Sequence, residues 1–214
     1  MRHRSTERTT GFGVKIISSL TLAALLILGA ASQDASEGPA AAFAAKACAA
    51  CHGRDGNSIS PFFPRLAGQR AQYVEAQLKS FRDKTRADPP AVAYMWGMAS
   101  QLDDEMIREL AAFYESQAPH TAQARQVELL SAGKDIYEHG LSARNVPDCQ
   151  SCHGAAAQGV GANPRLAGQH PEYLVKQLTF FKTRLRRNDP VMPAVCANMT
   201  FEQMEAVAVY ASSR

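Results

Sequence analysis

Cys48-Ala49-Ala50-Cys51-His52 and Cys149-Gln150-Ser151-Cys152-His153 are two copies of one pattern, C-x-x-C-H. Downstream of each lies a second shared block, Pro64-Arg65-Leu66-Ala67-Gly68-Gln69 and Pro164-Arg165-Leu166-Ala167-Gly168-Gln169. Both blocks continue in register, with Tyr73, Gln77, Leu78 and Phe81 matched by Tyr173, Gln177, Leu178 and Phe181. The copies are offset by 101 residues at the cysteines and by 100 at the second block, so one residue has been gained or lost between them. A period near a whole domain length is too long for a solenoid and indicates two homologous domains.

Helical periodicity divides each copy into three stretches. An entry helix is expected over 40–50 and again over 126–139, ahead of the cysteines. A second is expected over 71–86 and 171–187, where Pro171 suits a first helical position and Tyr173, Leu174, Leu178 and Phe181 share one stripe. A third is expected over 103–117 and 200–212, the latter opened by the capping-box pattern Thr200-Phe201-Glu202-Gln203. A proline-containing loop with a methionine joins the second helix to the third in each copy. The interdomain linker is expected over 116–126, a polar stretch interrupted by Pro119.

Ahead of the repeats, Arg2, Arg4, Arg8 and Lys15 precede a run from Ile16 to Ala31 that carries no charge. A basic start, a short apolar run and small residues at its end read as an export signal over 1–31, cleaved near Ala31. The alternative is a retained anchor, which would tie the protein to a membrane. The run is shorter than the ~20 residues that usually span a bilayer, which favours cleavage. Removing it takes away the chain's net charge of +3 and leaves 19 basic and 19 acidic residues. A neutral mature chain gives no electrostatic footprint for nucleic acid. The first domain, 32–118, and the second, 119–214, differ only slightly in charge.

Two thiols three residues apart lie on one face of a helical turn, spaced to form thioethers to the two vinyl groups of a haem. The histidine that follows then lies beneath the iron, so C-x-x-C-H reads as a c-type haem attachment site. A zinc site would need the four thiolates in one cluster, and a thioredoxin-like pair would need a β-α-β context. The expected cofactors are therefore two covalent haem c groups, held by Cys48, Cys51, Cys149 and Cys152, with His52 and His153 as proximal ligands. For the sixth position, Met192 lies seven residues before Met199, and Met95 lies seven before Leu102. Met199, Met106 and Met204 read as packing, and Met98 falls out of register. His/Met ligation raises the potential and leaves no open iron site.

The whole mature chain resembles the dihaem class I cytochromes c, and its repeated P-R-L-A-G-Q resembles the cytochrome c4 family. The resemblance implies an all-α fold of two tandem class I cytochrome c domains, each a small helical bundle around one haem. It implies that the carbonyls of Pro64 and Pro164 accept hydrogen bonds from the proximal imidazoles. Such a bond would fix the ring and strengthen it as a ligand. Arg65 and Arg165 are expected to pair with haem propionates. Trp96, next to the proposed ligand, could pack on the haem as any large apolar residue beside a cofactor would. His120, His139 and His170 read as exposed or locally bonded, and Cys196 as a small buried hydrophobe.

The implied function is periplasmic single-electron transfer between respiratory partners, from a quinol-oxidising complex toward a terminal oxidase, without catalysis of its own. The alternative is a dedicated electron-accepting subunit of a periplasmic oxidoreductase, such as a sulfide or alcohol dehydrogenase.

Overall fold

Pro39 opens the first described helix, its missing N–H harmless at that position. The computed structural model describes residues 38–121 and 126–214. Helix α1 (Pro39–Phe43) passes through a π-helical turn (Ala44–Cys48) directly into α2 (Ala49–His52). The turn of Cys51 and His52 ends at Gly53, whose φ of +83° suits glycine, and its counterpart Gly154 has the same value. After α3 (Ala71–Arg82) come a second π-helical turn (Ala91–Met95), α4 (Trp96–Ala99) and α5 (Asp104–Ser116). Asp103 caps α5, its carboxylate accepting from Met106 N at 2.8 Å.

The second repeat follows the same course with one addition. Helix α6 (Val127–His139) is separated from α7 (Gln150–His153) by a loop, pinned by a bridge between Leu141 and Val146. Then come α8 (Pro171–Lys182), α9 (Met192–Ala197) and α10 (Phe201–Ser212). Thr200 and Gln203 form the expected capping box on α10.

Each repeat has its own core. Phe81, Ile107, Leu110 and Tyr114 fill the first, and Tyr137, Leu174, Phe181 and Met204 the second. Helices α6 and α10 cross at Gly133, where a Cβ would collide with the Ala206 carbonyl. In the first repeat α1 packs on α5, with Ala40, Ala41 and Ala44 buried.

The three expected helices of each repeat are present, with two differences. The second helices end at Arg82 and Lys182, several residues early, because Lys84 and Arg184 both turn to a φ of 58°. The expected methionine loops are partly helical. Met95 closes a π-helical turn that Pro90 leads, whereas Met192 opens α9 ahead of Pro193. The prolines set helix starts at different points, so the two methionines share a sequence register but not a local geometry. The expected signal, and residues 122–125 of the expected linker, lie outside the described residues. Among the described residues no helix is long and apolar enough to cross a membrane.

Candidate functional site

The two C-x-x-C-H turns lie in separate cores. Cys48 and Cys149 are half-buried, whereas Cys51 and Cys152 are exposed. Burial pushes the Cys48 thiol up despite the nearby Tyr114 hydroxyl, and pushes Cys149 up to about 12. Among the described residues, no three His, Cys, Asp or Glu side chains gather at one point. The four thiols therefore do not form the single cluster a structural zinc would need.

His52 and His153 are each buried, with Nδ1 2.9 Å from the Pro64 carbonyl and 3.0 Å from the Pro164 carbonyl. A carbonyl only accepts, so each Nδ1 carries the proton and Nε2 is left as the lone-pair nitrogen. Burial lowers both imidazole pKa values, the proline carbonyls partly opposing it. Both rings are thus neutral and oriented, as a ligand to iron must be.

Met95 packs against the first core, alongside Cys48, Leu66 and Trp96. Met192 packs against the second, alongside Cys149 and Leu166. Leu102 and Met199 are both buried at the matching position. Met106 lies partly buried on the first core, Met204 is fully buried, and Met98 is exposed. Trp96 turns its indole N–H to the Arg86 carbonyl at 2.8 Å.

The P-R-L-A-G-Q blocks meet each other. Gln169 accepts from Arg65 N and donates to Arg65 O, both at 2.9 Å. Gln69 does the same to Arg165, at 2.7 and 2.9 Å. Arg65 also reaches across, donating through Nη1 to Gly168 O at 2.5 Å, while its Nε donates to Ser58 O of its own repeat at 3.2 Å. Arg165 differs, keeping a buried Nε without a hydrogen-bond partner. The repetition of this block thus has a structural cause, a pseudo-two-fold contact between the repeats, which sequence reading alone did not reveal.

His170 is buried, with Nε2 2.9 Å from Ser58 O in the other repeat, not exposed or locally bonded as expected. The pseudo-two-fold packing places it against the first repeat, a contact invisible along the chain. His139 is exposed beside Asp135, and His120 is exposed. Cys196 is fully buried in the second core.

The cytochrome c family model matches residues 36–118 and 130–213. Cytochrome c4 of Azotobacter vinelandii is 37% identical over 198 residues, covering 87% of this chain and 94% of that protein. The thiosulfate dehydrogenase electron acceptor of Stutzerimonas stutzeri is 39% identical over 173 residues, 78% of each chain. The solved cytochrome c4 of Acidithiobacillus ferrooxidans superposes with a TM-score of 0.75 at 39% identity, covering 79% of this chain and 99% of that one. With two haem-binding domains in one all-α chain, this electron-transfer protein belongs to the class I cytochromes c and, among them, to the dihaem cytochrome c4 family.

Proposed function

We propose that the chain is exported through residues 1–31 to the periplasm and carries one haem c in each of two domains, 32–118 and 119–214. Thioethers from Cys48 and Cys51, and from Cys149 and Cys152, would retain the groups outside the cell. His52 with Met95, and His153 with Met192, would supply the axial ligands. Several features support this reading. Each neutral imidazole is oriented by a proline carbonyl, each methionine packs on the core that holds a cysteine of its own pair, and the buried Arg165 Nε stands unpaired. Unpaired buried polar atoms are costly, and a polar group lodged in the core would satisfy them. Of the two expected propionate partners, Arg165 is the better placed, since Arg65 already serves Gly168 and Ser58.

Bound haem supplies a reversible one-electron couple; the chain holds the ligands, excludes water and keeps the sites apart. In the favoured reading, electrons come from a periplasmic dehydrogenase of the thiosulfate-oxidising kind. The observation that carries it is the 39% identity, over 78% of both chains, to a thiosulfate dehydrogenase electron acceptor. The second reading, supported by the cytochrome c4 relatives, is transfer from a quinol-oxidising complex toward a terminal oxidase.

Stopped-flow reduction of the purified holoprotein separates them. Mixing with a thiosulfate dehydrogenase and thiosulfate should reduce both haems within turnover time. Reduction by a quinol-oxidising complex alone would overturn the favoured reading in favour of the second.

A further inference from the structure

A second contact between the repeats is charged and closed to water. Arg86 and Arg186, equivalent residues after α3 and α8, are 5% and 3% exposed. Both guanidiniums converge on the same two amides. Arg86 donates to Gln77 Oε1 and Gln177 Oε1, each at 2.9 Å. Arg186 donates to the same two oxygens, at 2.9 and 2.7 Å.

Each also meets one tyrosine of the other repeat, Tyr173 for Arg86 and Tyr73 for Arg186, but beyond these the two differ. Arg86 Nε donates to Asp88 Oδ2 at 2.8 Å, and that carboxylate is 1% exposed. At the matching position Arg186 Nε meets the neutral Asn188 Oδ1 at 3.1 Å. The remaining Arg186 contact is the Tyr73 hydroxyl, 3.0 Å away. Asp189, next in the chain, is half-buried and accepts from Val191 N and Met192 N at 2.8 and 2.7 Å; its negative charge reaches His153 and Tyr73 but makes no contact with Arg186 among the described hydrogen bonds and ion pairs. Lys176, half-buried, adds a positive charge near Asp88. One guanidinium of the pair thus meets a carboxylate in contact, and the other meets an amide in its place.

Each arginine lies on the core of its own repeat. Arg86 stacks over Phe81 at 4.8 Å, in the core that holds Cys48 and Met95. Arg186 stacks over Phe181 at 4.5 Å, in the core that holds Cys149 and Met192. A buried positive charge favours the reduced form of a nearby one-electron centre, because reduction adds negative charge where little solvent screens it.

We propose that residues 88 and 188 are redox-tuning positions: Asp88 cancels the field of Arg86 on the first site, whereas Asn188 leaves the field of Arg186 acting on the second. This rests on the reading that each repeat carries a haem. Adding a carboxylate at 188 should lower one midpoint potential, and removing the one at 88 should raise one.

Redox titration of the holoprotein tests this with Asn188→Asp, Asp88→Asn and a neutral control, Asn188→Ser. Asn188→Asp keeps an acceptor for Arg186 Nε and adds charge to it, giving up only the Asn188 Nδ2 bond to Gln77 Oε1 at 3.0 Å, so it remains readable if Asp88→Asn folds poorly. A roughly threefold or larger fall in the ferrous-to-ferric ratio at fixed potential is expected for Asn188→Asp. The ratio should rise by a similar factor for Asp88→Asn, and Asn188→Ser should stay near the parent. A tenfold change would equal about 59 mV for one electron. Shifts of the same sign in both charge variants, or none with both haems bound, would overturn the proposal. A parent protein without the absorbance of haem c would instead overturn the reading beneath it.

Discussion

The side-chain amide of Gln169 grips Arg65 by its backbone, accepting from N and donating to O at 2.9 Å each. This is the pairing one strand offers another, here supplied by a side chain across two domains. Gln69 repeats it on Arg165, so each domain satisfies the other's backbone. The two glutamines are each 6% exposed, and the groups they serve have little access to water as a substitute.

Gln69→Ala should therefore leave the Arg165 N–H and carbonyl without their partner. The expected cost is about 2 kcal/mol. In scanning calorimetry the parent should melt as one cooperative transition, and the double variant Gln69→Ala with Gln169→Ala as two. A single unshifted transition in the double variant would contradict this.

Backbone strain distinguishes the repeats at one matched turn. Gly56 and Ala157 both accept from the leucine and alanine of the P-R-L-A-G-Q block, at φ of +79° and +53°. A left-handed alanine is strained where glycine is not, so Ala157→Gly should stabilise by about 1 kcal/mol in chemical denaturation. Gly56→Ala should destabilise by more, because its Cβ would fall 2.8 Å from Ala67 N and 2.9 Å from the Tyr114 ring.

His170 gives the domain contact a pH dependence. Burial and the nearby Arg65 charge hold its pKa below the ordinary value of 6.5. A histidine depressed on folding binds fewer protons in the native state than in the unfolded one. Its contribution is complete above the unfolded pKa and is lost as pH falls through the folded one. The melting temperature should drop more steeply below about pH 6.5 in the parent than in His170→Gln. Parallel curves for the two proteins would remove His170 from this role.

Ligand assignment is open to direct spectroscopy. Met95→Ala and Met192→Ala should each abolish the methionine-to-iron charge-transfer band of one haem, whereas Met98→Ala should leave it unchanged. Loss of the band in Met98→Ala would move the ligand of the first domain to that residue.

Much of this was legible in the chain. Paired cysteines with an adjacent histidine are a local pattern, because thioether attachment and proximal ligation need a single helical turn. Helix starts were equally local: Thr200 with Gln203 and Pro171 act on the backbone within one turn. So was the duplication, which a comparison of the chain with itself reveals.

Contacts between the repeats were not legible. Nothing in the P-R-L-A-G-Q block says that its glutamine serves the other copy, nor that Arg65 turns to Gly168. His170 reads along the chain as exposed or locally bonded, whereas its partner is Ser58, 112 residues away. The sequence by itself determined two helical domains and the chemistry each is equipped to hold, since those follow from spacing within a turn. Only the tertiary structure decided that Gln69, Gln169, Arg86 and Arg186 lie between them. Burial and hydrogen bonding there depend on which surfaces meet, and that is a property of no single segment.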